Sequence, residues 1–354
     1  MTLLNSPSPE ELIPELSHHK RVPLGHGPTP IDHLPQLGKE LGIKLWAKRD
    51  DCNGLVFGGN KVRQLEYYLG PGVEQNADTV LITGALQSNF VRLTAAAACK
   101  LGWQAHVQLE ERVPSDDALY RSSGNIFLNN LLGAEISYFP EGEDEAGADK
   151  ALDDRADVLR KNGRRPYVIH LGLNSLPLGG LGYVRAAEET WEQVKQAGNE
   201  PDYVVIPSGS GLTHAGFLVG ARAIGWNIPI IGICVRRGRP SQIARIAQRA
   251  KEIEDMIGRS GLIKESDIEI SDAVLAPGYG KMNKAVQEAI DKSAQQEALI
   301  LDPVYSGRTM AGLFEQVRRN RIPQGSKVLF IHTGGNPAIF AYQNAITNFS
   351  QLSS

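Results

Sequence analysis

Short apolar segments that alternate with helical patterns constrain the fold of this chain more than any other feature. Segments of this kind that read as strands are 44–50, 79–85, 104–110, 134–140, 166–172, 202–208, 228–235 and 327–333. Helical patterns such as 88–102 and 181–198 lie between them. Strands separated by helices pair in parallel through βαβ crossovers. Near-continuous apolar runs such as 328–332 are typical of a sheet covered on both faces. The pattern predicts an α/β fold.

The predicted strands fall into two groups, which suggests two domains. One group runs from 79 to 172 and the other from 202 to 333, and a stretch rich in Gly and Pro at 172–182 separates them. In open parallel sheets, ligands bind beyond the carboxyl ends of the strands. The residues that directly follow each strand are therefore the first candidates for a functional site.

Composition excludes several classes of function. Lys and Arg number 37 against 40 Asp and Glu, a net charge of −3, so no basic field is available for nucleic acid. No run approaches the ~18 apolar residues of a membrane span, and the amino terminus lacks a basic export leader. Three scattered cysteines (Cys52, Cys99 and Cys234) form neither a disulfide framework nor a CxxC metal site. We expect a cytoplasmic protein without a metal ion, whose first ~20 residues lie on its surface or on a partner.

A lysine follows a glycine pair in the segment Phe57-Gly58-Gly59-Asn60-Lys61. The glycines allow close approach of a ligand, and Asn60 is positioned to cap the helix that follows. Lys61 then lies in the first turn, where the helix dipole opposes a positive charge. An amine with a depressed pKa is a better nucleophile and Schiff-base former, which would justify that location. On spacing alone, a surface lysine beside a glycine turn is the commoner interpretation.

Three further loops follow strands and precede helices. The loops are Gln87-Ser88-Asn89, then Ser208-Gly209-Ser210-Gly211-Leu212-Thr213, and finally Thr333-Gly334-Gly335. The amino terminus of a helix offers free N–H groups to an anion. The second loop, which is rich in Gly and Ser, is typical of a phosphate-binding loop. It is not a Walker A loop, because the Gly-Lys-Ser/Thr of that motif is missing. An N-cap serine, a plain tight turn and a capping threonine are the structural alternatives. Two tyrosines, Tyr279 and Tyr305, lie in glycine-flanked loops where packing is the usual role.

Taken together, the segments resemble the pyridoxal-phosphate (PLP) enzymes of fold type II. The motifs, in chain order, are KRDDCNGL, GGNKVRQLEY, GALQSN, GSGLTHAG, APGYG, LDPVYSGRTMAGL and FIHTGG. They are similar to those of the family that contains 1-aminocyclopropane-1-carboxylate (ACC) deaminase, D-cysteine desulfhydrase and L-cysteate sulfo-lyase. The resemblance runs from residue 27 to residue 342.

The resemblance implies a tryptophan synthase β-like architecture of two open three-layer αβα domains with mostly parallel sheets. Residues 1–64 and 175–354 would form a large PLP-binding domain, 65–174 a small domain, and the cleft between them the active site. It further implies a cytoplasmic homodimer that acts on a small amino acid.

The family's site residues are carried over by motif. Lys61 is then the Schiff-base lysine and a catalytic residue. The other implied catalytic residues are Ser88, Tyr279 and Tyr305, which also contact substrate together with Gln87 and Asn89. The implied cofactor-binding residues are Lys61, Asn89 (on the phenolic oxygen), Ser208, Gly209, Ser210, Gly211, Leu212, Thr213 (the phosphate loop) and Thr333 (facing the pyridine nitrogen).

Three departures from the family pattern affect the expected function. Gln64 stands where the family often has a phosphate-binding lysine, Phe90 replaces a polar residue, and Ser306 replaces the Glu of ACC deaminases. Ring opening of a cyclopropane needs acid–base help at that last position. We therefore expect a carbon–sulfur lyase and deaminase that converts D-cysteine to pyruvate, sulfide and ammonia. The alternatives are an ACC deaminase, an L-cysteate sulfo-lyase, another β-substituted-alanine lyase, an amino-acid racemase and a PLP-binding homologue without turnover.

Overall fold

Strands and helices alternate along the computed structural model, which describes residues 12–351. The strands are β1 (Ile31–His33), β2 (Lys44–Arg49), β3 (Thr79–Ala85), β4 (Gln104–Glu110), β5 (Glu135–Phe139), β6 (Pro166–Ile169), β7 (Tyr203–Ser208), β8 (Ile230–Cys234), β9 (Glu269–Ser271) and β10 (Lys327–His332). The α-helices are α1 (Pro35–Leu41), α2 (Asn60–Glu74), α3 (Asn89–Leu101), α4 (Ala118–Ser122), α5 (Gly124–Leu131), α6 (Glu145–Lys161), α7 (Leu178–Gln196), α8 (Leu212–Ala223), α9 (Arg239–Met256), α10 (Lys284–Glu297), α11 (Ser306–Arg318), α12 (Ala338–Ala341) and α13 (Gln343–Gln351).

Two separate sheets organise these elements. The larger has the strand order β1-β2-β10-β7-β8-β9 and the smaller has the order β5-β4-β3-β6. All pairs are parallel except β1 with β2 at the edge of the larger sheet. The mostly parallel α/β fold that the alternating pattern predicts is confirmed. The two three-residue edge strands, β1 and β9, were not predicted, because three residues carry too little periodicity to detect.

Helices cover both faces of the larger sheet, which explains its continuous apolar strands. Along β10, Leu329 and Ile331 pack into the core formed with α7, α8 and α9, whereas Val328 and Phe330 pack into the core formed with α1, α10 and α11. Successive side chains on a strand point to opposite faces. Every position of β10 from 328 to 331 is therefore buried, as the run of apolar residues predicts.

The polar leader is a surface segment that two buried side chains attach to the core, where the structure describes it. Residues Pro14–His18 form a short 3-10 helix, and Ile13 and Leu16 are buried in the core with α7. The backbone N–H of Ile13 also donates to Glu188 at 3.2 Å. From residue 12 onward the segment therefore lies on the surface, as expected, but two apolar side chains anchor it to the core; residues 1–11 lie outside the described part.

A buried charge cluster joins β2, α2 and α7 behind the site. The Arg63 guanidinium contacts the Asp50 carboxylate at 2.9 Å and the Glu189 carboxylate at 2.8 Å, and Lys48 contacts Glu189 at 2.5 Å. These partners hold the pKa of Glu189 well below its ordinary value of 4.5. The cluster fixes the helix that carries Lys61 against the larger sheet.

Replacing Arg63 by methionine is expected to destabilise the fold by about 3–5 kcal/mol, because it leaves the buried Asp50 carboxylate without an ion-pair partner and Glu189 with Lys48 alone. Urea unfolding at pH 7 measures the loss. Since the folded-state pKa of Glu189 is depressed, the stabilisation is present above pH ~4.5 and is lost as the pH falls. The exposed Lys251→Ala change is the control and should leave the urea midpoint unchanged. An Arg63→Met midpoint equal to wild type would contradict this role.

Candidate active site

A cleft between the two sheets collects residues from the loops beyond their strands. The larger sheet contributes Lys61, Gly209, Ser210, Leu212, Tyr279, Tyr305 and Thr333. The smaller sheet contributes Thr83, Ser88, Asn89, Phe90, Glu110 and Arg112. The rule that ligands bind beyond strand carboxyl ends therefore locates most of this lining from sequence.

Two glycine loops meet back to back at the base of the cleft. A Cβ on Gly334 would lie 2.7 Å from the Cα of Gly59, and both residues have positive φ angles, +81° and +123°. The N–H of Asn60 donates to the carbonyl of Thr333 at 3.0 Å. Only residues without a side chain permit this approach, and it places Lys61 and Thr333 beside each other.

Lys61 lies in the first turn of α2, as predicted, but the helix is capped differently. Gly59 is the N-cap, and the Asn60 side chain instead donates to the Thr213 hydroxyl at 2.8 Å. The prediction that Asn60 caps the helix is wrong, because Gly59, with its φ of +123°, takes the N-cap position and Asn60 is the first helical residue. The helix dipole at this turn disfavours a charged ammonium group.

The Lys61 amine has no carboxylate partner among the described residues. Its Nζ donates to the Gln64 Oε1 at 3.0 Å and lies 5.0 Å from the centre of the Phe90 ring. Burial lowers the pKa of Lys61 to about 8. A substantial fraction of the amine is therefore neutral and nucleophilic near neutral pH, which is the property that the surface-lysine interpretation lacks.

The amino end of α3 brings Ser88 and Asn89 into the cleft. Ser88 is the N-cap of α3, with its hydroxyl accepting from Val91 N–H at 3.3 Å, so the capping role is real. The Asn89 Oδ1 accepts from Asn125 at 2.9 Å and from Arg92 at 3.3 Å, which leaves its amide N–H groups for a ligand. Free helix N–H groups beside Ser88 suit a carboxylate.

Gln87 lies outside this cleft lining. Its side chain donates to the carbonyls of Tyr120 and Ser123 at 2.7 and 3.0 Å, and its Oε1 accepts from Asn125 N–H at 2.9 Å. All of its polar atoms are thus used to support the segment 120–125. Gln87 also lines a small pocket with Asn89, Tyr279 and Tyr305, and the substrate contact that the resemblance implies stays a prediction.

The predicted phosphate loop contributes only part of its residues to the cleft. Gly209, Ser210 and Leu212 line it at the amino end of α8. The remaining three members, Ser208, Gly211 and Thr213, are buried outside the lining.

The buried loop members hold the fold together. The Ser208 hydroxyl contacts His214 and Gln242 at 3.1 and 2.9 Å, and the Thr213 hydroxyl accepts from Asn60 and Gln64. The Thr213 oxygen accepts both of these bonds, so its O–H can still donate to a ligand. The assignment of Ser208 and Thr213 to the phosphate stays a prediction.

The two predicted tyrosines form a pair across the cleft from Lys61's helix. Their hydroxyl oxygens lie 2.7 Å apart and their rings meet edge to face at 6.2 Å. Burial, with Tyr279 as the nearest polar neighbour, raises the pKa of Tyr305 well above its ordinary value. Tyr305 therefore stays protonated and can donate a hydrogen bond or a proton to a ligand. This is a role beyond packing.

Thr333 lines the cleft with little exposure and does not cap a helix. The carboxyl-terminal helix that it was a candidate to cap is divided into α12, with Pro337 as N-cap, and α13. The capping alternative is therefore wrong. The Thr333 hydroxyl is a neutral group beside Lys61.

Four arginines that line the cleft were not predicted from the sequence. They are Arg112, Arg236, Arg237 and Arg245. Arg112 follows β4, and the pair Arg236 and Arg237 follows β8, so the strand-end rule could have found these three. Arg112 contacts Glu110 at 2.6 Å, and Glu145 contacts Arg236 and Arg237 at 3.0 and 3.2 Å.

Comparison with known proteins identifies the family. A family model described as pyridoxal-phosphate dependent enzyme matches residues 22–334. The ACC deaminase of Bradyrhizobium sp. strain BTAi1 is 39% identical over 337 residues, which cover 94% of this chain and 99% of that protein. The chain belongs to the ACC deaminase family of PLP-dependent enzymes. The ACC deaminase of Burkholderia multivorans is 41% identical over 333 residues, with 92% and 97% coverage.

Solved structures agree with this assignment to the ACC deaminase family. The structure described as an ACC deaminase homologue is 33% identical, has a TM-score of 0.84, and is matched over 96% of this chain and 99% of that chain. Threonine deaminase isoform 2 from Solanum lycopersicum, at 17% identity, matches with a TM-score of 0.65 over 97% of this chain and 88% of that one, and shows the fold alone. The predicted fold type II architecture, PLP dependence and lyase class are confirmed. Within residues 12–351 no helix is long and apolar enough to cross a bilayer.

The cleft suits PLP in its donor chemistry. Lys61 supplies an amine without an ion-pair partner, Asn89 supplies amide donors, and the α8 terminus with Ser210 supplies backbone N–H groups for a phosphate. Thr333 supplies a neutral hydroxyl. PLP, when bound, acts as the electron sink for carbanion chemistry at the substrate's α-carbon.

The pKa of Lys61 predicts how PLP attachment depends on pH. Burial favours the neutral amine, which is the nucleophile, so the rate of covalent attachment of PLP to the PLP-free protein should rise about tenfold between pH 7 and 9 and then level off. Stopped-flow absorbance measures this rate. If the rate instead increases tenfold per pH unit up to pH 10, the pKa of Lys61 is not lowered, and the prediction is wrong.

Proposed function

We propose that this enzyme eliminates the β-substituent of a small amino acid, with D-cysteine as the first substrate to test. The reaction takes D-cysteine and water to pyruvate, hydrogen sulfide and ammonia. The observation that carries the proposal is the Tyr279–Tyr305 pair, which brings two hydroxyl groups 2.7 Å apart into the cleft that holds Lys61. A proton donor of this kind suits a leaving group that departs as an anion.

Substrate placement follows from the α3 terminus. Free N–H groups at its first turn and the Ser88 hydroxyl form an anion site for the substrate carboxylate. Lys61 lines the same cleft, with its Nζ 5.0 Å from the centre of the ring of Phe90, the second residue of α3. A carboxylate held at Ser88 presents the amino acid's α-carbon toward the Lys61 amine, which can then take and return a proton there.

The tyrosine pair assists the leaving group. Because Tyr305 keeps its proton and contacts Tyr279 at 2.7 Å, one hydroxyl can pass a proton outward while the other replaces it. A departing thiolate protonated in this way leaves as hydrogen sulfide. The remaining 2-aminoacrylate hydrolyses in water to pyruvate and ammonia.

Ser306 argues against ring opening of ACC. Its side chain is fully buried, and its hydroxyl donates to the Asp302 carboxylate at 2.7 Å. Asp302 also accepts the N–H groups of Val304 and Tyr305, both at 2.9 Å, and thereby caps the start of α11. Both groups are committed to orienting Tyr305, so neither serves as the acid or base that a cyclopropane ring requires.

ACC deamination is the second candidate, and the names of the relatives support it. Proteins named ACC deaminase are about 40% identical to this chain over almost its whole length. That reaction takes ACC and water to 2-oxobutyrate and ammonia. Homodimeric assembly and a cytoplasmic location, which the family resemblance also implies, stay predictions.

A substrate panel distinguishes the two candidates. The holoenzyme is given D-cysteine, L-cysteine, L-cysteate and ACC at equal concentration, and keto acid, ammonia and sulfide are measured. We expect the largest kcat/KM for D-cysteine, with sulfide and pyruvate released in equal amounts. Faster formation of 2-oxobutyrate from ACC than of pyruvate from D-cysteine would overturn the proposal in favour of the deaminase.

A further inference from the structure

The phosphate end of the PLP site lacks an evident cation on α2. Gln64 is neutral and fully buried, and both ends of its amide are engaged: Oε1 accepts from Lys61 at 3.0 Å and Nε2 donates to Thr213 at 2.9 Å. Lys61 itself is used in bonding PLP. Backbone N–H groups at the α8 terminus supply only partial charge to a phosphate dianion. A full positive charge must come from another element.

Arg245 on α9 has the required position. It is buried, and its Nε donates to the carbonyl of Ser210 at 2.7 Å, which ties it to the loop before α8. It lines the same cleft as Lys61 and Ser210. Within residues 12–351 no hydrogen bond or ion pair uses its two terminal guanidinium nitrogens. The planar guanidinium fork matches the geometry of phosphate oxygens.

The other cleft arginines are already committed to carboxylates. Arg112 is paired with Glu110, and Arg236 and Arg237 are paired with Glu145. Among the described cleft arginines, Arg245 is thus the one without an ion pair. Burial and the repulsion of Arg237 lower the pKa of Arg245 to about 10 against the weaker attraction of Glu145, so it remains charged at neutral pH, and no carboxylate of the described residues lies within ion-pair distance of it.

We propose that Arg245 is the charged partner of the PLP phosphate and takes over the electrostatic role that Gln64 cannot fill. The inference depends on the cofactor and not on which amino acid the enzyme consumes. A failure of the substrate panel would leave it standing, and its own failure would leave the proposed reaction standing.

The test compares two probes that differ only in the phosphate. PLP is removed from the full-length holoenzyme, and dissociation constants for PLP and for pyridoxal are measured by absorbance titration. Because charge-assisted hydrogen bonds are strong, Arg245→Gln should weaken PLP binding about 10- to 100-fold. Pyridoxal affinity should change less than about threefold. Arg245→Lys should retain most of the preference for PLP.

Arg236→Gln is the matched control, because it removes a positive charge from the same cleft and should leave the ratio of the two constants nearly unchanged. Equal PLP affinity in Arg245→Gln and wild type would overturn the inference. An equal loss for PLP and pyridoxal would also overturn it, since it would mean that Arg245 only supports the Ser210 loop. If the glutamine variant does not fold, Arg245→Met keeps the aliphatic stem and must show the same selective loss.

Discussion

Replacing Lys61 by alanine should abolish turnover by about 10³-fold or more and remove the visible absorbance of lysine-bound PLP. In the proposed reaction this amine both bonds PLP and takes the proton from the substrate's α-carbon. Borohydride reduction followed by mass spectrometry detects lysine-bound PLP directly. The label should be on the peptide that contains Lys61 in wild type and absent from the variant.

Lys281→Ala is the matched control for Lys61→Ala. Lys281 is exposed near the mouth of the cleft, so the same loss of an amine should leave the absorbance and the label intact. Circular dichroism establishes that both variants are folded. A Lys61→Ala enzyme that keeps wild-type turnover would remove Lys61 from the catalytic machinery.

Replacing Tyr305 by phenylalanine should lower kcat by about 10²–10³-fold while changing KM only slightly. The ring packing is kept, but the protonated hydroxyl that faces Tyr279 is lost. The absorbance of lysine-bound PLP should persist, because Lys61 is untouched. Steady-state kinetics on the best substrate of the panel, with the absorbance measured in parallel, provides both readouts.

A double variant tests whether the two tyrosines act as a unit. If the two hydroxyls act on one proton path, removing either one interrupts it. The Tyr279→Phe, Tyr305→Phe double variant should then have a kcat only slightly below that of Tyr305→Phe alone. Tyr167→Phe, a change on β6 away from the cleft lining, is the control and should preserve kcat. Fully multiplicative losses in the double variant would indicate that the two hydroxyls act separately.

The strand-end rule explains how much of the site could be predicted from sequence. Ser88, Asn89, Gly209 and Thr333 were found because they directly follow apolar strands. Arg245 could not be found in this way. It lies in the middle of α9 and reaches the cleft only because that helix packs against α8.

Side-chain direction limited the rest of the prediction. Motif matching placed all of Ser208 to Thr213 on the phosphate, yet Ser208 and Thr213 turn into the protein to bond His214 and Asn60. The Gln87 side chain likewise bonds to the neighbouring backbone. Adjacent residues in a tight loop point in different directions, and sequence alone does not say which of them face the cleft.

The position of β10 in the larger sheet has a consequence for how the protein is made. This strand, residues 327–332, lies between β2 and β7, although it is the last strand along the described chain. The loop after it carries Thr333 and Gly334, which contact the Gly59 loop. During synthesis, β1 and β2 cannot join β7, β8 and β9 in one sheet until β10 has been made. We therefore expect the loop pair beside Lys61 to form only after residues 333 and 334 have left the ribosome.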